Sequence, residues 1–186
     1  MRIHDISLAA RGRWHILTAA LIAGWILVGL GLLIASSLGA PVVWWDIIHP
    51  FTIGALTTAI IVFSTHFTEA LTRTAGGDYR GVGSRVGLVQ LGLILLLIDR
   101  AGYDWGPLAD AASALIIVAL AWHLCFVARR LRGSLSGAFA VTVPFYIAAS
   151  GFMIASVVLV ILSGSRVGEY SLLIGAHSRG MVLGFA

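Results

Sequence analysis

The sequence predicts an all-α protein, a polytopic transmembrane bundle of about six spans. Three observations carry that expectation. Apolar residues fill 59% of the 186 positions and charged residues only 11%, whereas a soluble domain runs near a quarter charged to keep its exterior wettable. The apolar residues fall in runs close to the ~20 needed to cross a ~30 Å hydrocarbon core at about 1.5 Å per residue. The arginines gather in alternate connections between those runs.

The elements follow in order. A short basic arm with Arg2, Arg11 and Arg13 precedes a first span from Trp14 to Ser36. That run is too long for a signal h-region and has no small-residue cleavage site closely after it, so it is read as a retained span. A connection with Pro41 and the interfacial pair Trp44 and Trp45 leads to a second span, from Asp46 to Thr72. Asp46 is a good N-cap, and Pro50 is expected in the first turn, where its missing N–H costs nothing. An Arg- and Gly-bearing loop, Arg73–Arg85, precedes a third span ending at Ile98. Tyr103, Trp105 and Pro107 mark the Asp99–Asp110 loop, after which a fourth span reaches Ala128 and the cluster Arg129, Arg130 and Arg132. The fifth span is expected over Phe139–Leu162, with Pro144 in its first turns, and the sixth from Ser171. Residues 1–186 read as a single transmembrane domain. The last run stops at Ala186 after about 24 Å of helix with no cap or charge, as expected of a longer chain cut in its sixth span, with a tilted span or a half-span as the alternative.

The positive charge is all arginine, and the net charge is +4. In a soluble chain that balance would suggest nucleic acid. Here nine of the arginines lie in the arm, the second loop and the fourth loop, while the opposite connections hold Arg100 and Arg166 beside Asp46, Asp99, Asp104, Asp110 and Glu169. The positive-inside rule then puts the N-terminus of a multi-pass protein in the cytoplasm and removes the case for nucleic acid. The lone Cys125 lies in an apolar run and supports no disulfide framework.

Histidine is the residue type that could carry chemistry. Ionisable residues in spans usually face a bundle interior or a cavity. His49 and His177 fall toward the outer ends of the second and sixth spans; His66 and His123 fall toward the cytoplasmic ends of the second and fourth; His15 begins the first. His49 and His66 lie about 100° apart on a helix, so they cannot serve one metal together. Bis-histidine haem takes two imidazoles at matched depth from facing helices, which pairs His49 with His177 and His66 with His123. Gly54, Ala55, Ala119 and Gly175 would floor the slots. Each histidine also has a plainer reading: His15 and His66 in the headgroup region, and His123 in an interhelical hydrogen bond. Arg179, two residues after His177, could meet a haem propionate or snorkel outward. Glu69 and Arg73 stand at i,i+4, the favourable order for an ion pair. No CxxC, CxxCH, Walker loop or HExxH occurs.

The run Trp44-Trp45-Asp46-Ile47-Ile48-His49-Pro50-Phe51-Thr52-Ile53-Gly54-Ala55, continuing through Ser64-Thr65-His66-Phe67, resembles the second span of a bacterial membrane family. That family forms the N-terminal membrane region of actinobacterial multicopper oxidases related to copper nitrite reductases. It is more distantly similar to haem–copper oxidase subunit I and to membrane haem proteins of the nitric-oxide response. The likeness continues at Ala121-Trp122-His123, at Phe139 to Tyr146 and at Ala176-His177-Ser178-Arg179-Gly180. It implies haem b on His49 and His177, a second haem on His66 and His123, and electron flow from quinol toward an outward-facing copper redox domain. Relatives often carry a second histidine where Arg179 stands, so copper is less expected in this segment than haem. Two rivals remain open: a membrane anchor or assembly subunit with structural histidines, and a transporter, against which the lack of mid-span acidic residues counts.

Overall fold

In the computed structural model, which describes residues 8–74, 79–99, 105–133 and 141–185, the regular elements are all helical. Helix α1 is Leu8–Ser37; α2 is Trp44–Thr72; α3 is Tyr79–Asp99; α4 is Pro107–Arg132; α5 is Val143–Gly164. Helix α6 is Tyr170–Arg179, continued by a π-helical turn over Gly180–Phe185. The first five are long and apolar enough to cross a membrane. The sixth is shorter, and its ten α-helical residues include His177 and Arg179.

Several boundaries differ from the expectation. Helix α1 begins six residues earlier than Trp14, so Arg11 and Arg13 of the basic arm belong to its first turns. Pro50 is not in a first turn. Helix α2 starts at Trp44, and Pro50 opens a wide π-helical stretch, Pro50–Thr57, between two α-helical stretches. A proline inside a helix clashes with the carbonyl four residues back and donates nothing to it; the wider turn is where this helix absorbs that defect. Helix α3 starts at Tyr79, which turns the second half of the expected Arg73–Arg85 loop into helix. Helix α4 starts at Pro107, with proline at the first position where it is tolerated. Phe139 and Ala140, the expected start of the fifth span, lie outside the described residues.

The chain divides into two compact units, Met1–Ala59 and Ile60–Ala186. In the first, α1 packs along the π-helical stretch of α2. The contact is close because glycine allows it: a Cβ on Gly29 would strike the Phe51 ring, and one on Gly54 would strike Trp25. In the second unit α4 is central, packed on α3 and on α5. Its inner face, with Ala112, Ile116, Ala119, Leu120, His123 and Val127, is almost wholly buried, and Gly92 of α3 lets Ile116 and the Ala112 carbonyl come up against the backbone. Helix α6 packs on α5, where Gly184 meets Phe152. The surface is apolar as well: Ile16, Leu17, Leu27 and Ile34 on α1 and Phe145 and Phe152 on α5 are each more than half exposed. In water such faces would be an aggregation hazard, whereas against lipid tails they cost nothing.

Candidate functional site

His49 ends the first α-helical stretch of α2, immediately before Pro50. It is half-buried. Its Nδ1 lies 2.7 Å from the Trp45 carbonyl oxygen, one turn back, and its ring lies 4.2 Å from that of Trp45 at a 30° tilt. A carbonyl can only accept, so Nδ1 carries a proton, and in the neutral imidazole the lone pair then sits on Nε2.

His177 repeats that arrangement in the second unit. It is half-buried on α6, just before the π-helical turn at Gly180. Its Nδ1 lies 2.9 Å from the Ser156 carbonyl of α5, which again fixes the proton on Nδ1 and the lone pair on Nε2. Gly180 packs on the same serine. Arg179 is exposed, two residues beyond His177. Of the small residues expected to floor the slots, Gly54 is filled by Trp25, Ala55 and Ala119 are buried, and Gly175 borders open space.

The expected partners His66 and His123 are not brought together. His123 is 1% exposed, and its Nε2 is 2.8 Å from the Ser64 hydroxyl of α2. His66 stands two residues after Ser64, about 200° further round the helix. It is exposed and lies edge-on to Phe67. One iron cannot sit between a ring on the buried face of α2 and a ring on its outer face. The interhelical hydrogen bond, the plainer reading of His123, is the one present. His15 is likewise exposed, near the start of α1.

Around His123 the second unit holds a polar seam. At its outer edge Arg130 of α4 meets Glu69 of α2 at 3.5 Å. The expected Glu69–Arg73 pair is not the one formed, because Arg73 adopts a left-handed backbone (φ 52°) where α2 ends and so leaves the helical register. Further in, the Arg85 guanidinium of α3 lies 4.3 Å from the centre of the Phe126 ring, with Arg130 at 5.2 Å from the same ring. Arg85 is 1% exposed and donates to the Thr65 hydroxyl at 3.4 Å. Its Nε, His123 Nδ1 and the Thr68 hydroxyl have no hydrogen-bond partner among the described residues. Sequence reasoning missed Arg85 by assigning it to a loop. The signal was present: Val82, Val86, Val89, Leu93 and Leu96 form an apolar stripe at helical spacing that begins before Arg85 and includes its face.

Among the described residues no three histidine, cysteine, aspartate or glutamate side chains converge as a metal-binding group. Bis-imidazole haem needs only two protein ligands. No family model, curated protein or solved structure matches this chain.

Proposed function

We propose that the chain is the membrane haem-binding electron-transfer module of a respiratory or copper-oxidase-type redox protein of the bacterial inner membrane, with His49 and His177 supplying axial imidazoles to haem b. One observation supports this most. Both rings give their Nδ1 proton to a main-chain carbonyl, the kind of bond that orients a metal-ligating histidine and raises the basicity of the other nitrogen. Among the histidines considered, only these two share that bond, partial burial and a position just before a π-helical turn, a feature frequent at functional sites.

Haem b, when bound, supplies a one-electron couple. The protein residues hold and orient. The Trp45 carbonyl and the Ser156 carbonyl set the ring planes, and Arg179 offers a guanidinium to a carboxylate near His177. Electrons would come from quinol and leave toward an outward-facing copper redox domain. The rival reading, a membrane anchor or assembly subunit, draws on the Ser64–His123 bond, where a histidine already serves as interhelical glue.

A visible spectrum separates them. Full-length protein from a haem-replete host should show a Soret band and a six-coordinate, low-spin signature. His49→Ala and His177→Ala should each abolish that signature or convert it to a weakly ligated form. His66→Ala should leave it unchanged. Arg179→Ala should loosen haem retention without changing ligation, since it removes one charge-assisted bond and no metal bond. Colourless wild-type protein would establish the anchor reading instead.

A further inference from the structure

The polar seam of the second unit carries a charge imbalance. Its described ionic groups are Arg85, Arg130 and Glu69. Arginine stays charged in proteins, so two cations face one carboxylate. Glu69 forms its ion pair with Arg130, at the edge. Arg85, the most buried of the three, forms no ion pair among the described residues and has a single long hydrogen bond, to a neutral hydroxyl. The Phe126 ring lies within cation–π distance of both guanidiniums, but a quadrupole attracts a cation without neutralising it. Glu69 also acts on Arg85 through space, but one carboxylate does not offset two guanidiniums, and an excess charge at that position, inside a bundle crossing lipid, costs at least a few kcal/mol.

Three side chains with unmet hydrogen-bonding capacity lie in the same seam. They are Arg85 at Nε, Thr68 one turn from Thr65 at its hydroxyl, and His123 at Nδ1. Each side chain is essentially buried, at 1%, 0% and 1% exposure. The arginine nitrogen can only donate, and the hydroxyl and the imidazole can donate as one of their options. A water molecule would answer those groups but not the charge. An anion answers both.

We propose that Arg85, Thr68 and His123 form an anion site at the Arg-rich end of the bundle, taking a small inorganic anion of halide size as the counter-ion of Arg85. The site is built between α2, α3 and α4 and is independent of any haem. Its occupancy is governed by the local balance of charge. Removing either arginine leaves Glu69 to neutralise the other, and the anion is then no longer required. Removing the carboxylate leaves two cations and strengthens the demand.

The test uses purified full-length protein in detergent, unfolded by heat and followed by tryptophan fluorescence. Sodium gluconate is replaced stepwise by sodium chloride or bromide at constant ionic strength. The wild type should show a saturating rise in midpoint of a few degrees. Arg130→Gln should lose that rise while remaining folded, and Arg85→Gln should lose it where the variant can be purified. Glu69→Gln should saturate at a halide concentration lower by about tenfold, as expected for a change of one nearby charge. A non-saturating rise of equal slope in all variants would be a general salt effect and would overturn the proposal. So would a midpoint that ignores halide and rises only in phosphatidylglycerol nanodiscs, which would assign the counter-ion to a lipid phosphate.

Discussion

Ser64 and His66 stand two residues apart on α2 and meet opposite environments, one buried against His123 and the other exposed. That separation of faces decides which histidines can share chemistry, and depth along the membrane does not contain it. Depth is read from residue number; facing is set by how α2 rolls against α3 and α4. The hydrogen bond between Ser64 and His123 is therefore open to a direct test. Ser64→Ala would leave a second nitrogen of a buried imidazole without a partner, at a cost of about 1–3 kcal/mol, and should lower the unfolding midpoint by several degrees. Ser64→Thr keeps a hydroxyl at the position and should recover part of the loss, whereas His66→Ala should leave the midpoint unmoved. A Ser64→Ala midpoint equal to wild type would show that the bond does not contribute to stability. His49 and His177 were legible as candidates from their positions in the chain. Their Nδ1 bonds to carbonyls were not, because one of the two acceptors, Ser156, is 21 residues away on another helix.

Helices with strong apolar runs were legible in number and order, since a long run without charge has few alternatives in lipid. Their ends were less so. The rule that sorts arginine into loops led the reading past Tyr79, although Arg85 is buried within α3 among valines. Pro50 misled in a related way: a proline suggested a helix start, but the helix accommodates it by widening into a π-helical stretch. Packing between elements depends on glycine placement, and α3 offers an internal control. Gly92 and Gly87 are both helical glycines of one element, yet a Cβ at Gly92 would meet Ile116 and the Ala112 carbonyl, while one at Gly87 would meet nothing within 4 Å. A side chain can repack but the facing carbonyl cannot move without its helix. Gly92→Ala should thus destabilise by about 1–3 kcal/mol. Gly87→Ala should be neutral or stabilising by up to about 1 kcal/mol, the helix propensity gained. Equal midpoints for the two variants would mean that α3 and α4 do not approach as closely as described.

At the scale of the whole molecule, the chain is a multi-pass membrane protein whose outward surface is apolar along five long helices. Length and composition say that those helices are able to cross; they do not say in which direction. Direction rests on charge. One end carries Arg73, where α2 stops, and Arg129, Arg130 and Arg132 in the last turn of α4; the other carries Arg166 beside Glu169, with Asp110 on the first turn of α4. Moving so many guanidiniums across the bilayer during insertion is disfavoured, so the Arg-rich end is expected in the cytoplasm. Single-cysteine labelling checks this. Cys125 is exposed on α4, so the background must be Cys125→Ser. In that background Gly77→Cys, between α2 and α3, should resist a membrane-impermeant maleimide in intact cells and react after lysis. Gly106→Cys, at the start of α4, should react in intact cells. Reaction of the first and protection of the second would invert the protein in the membrane.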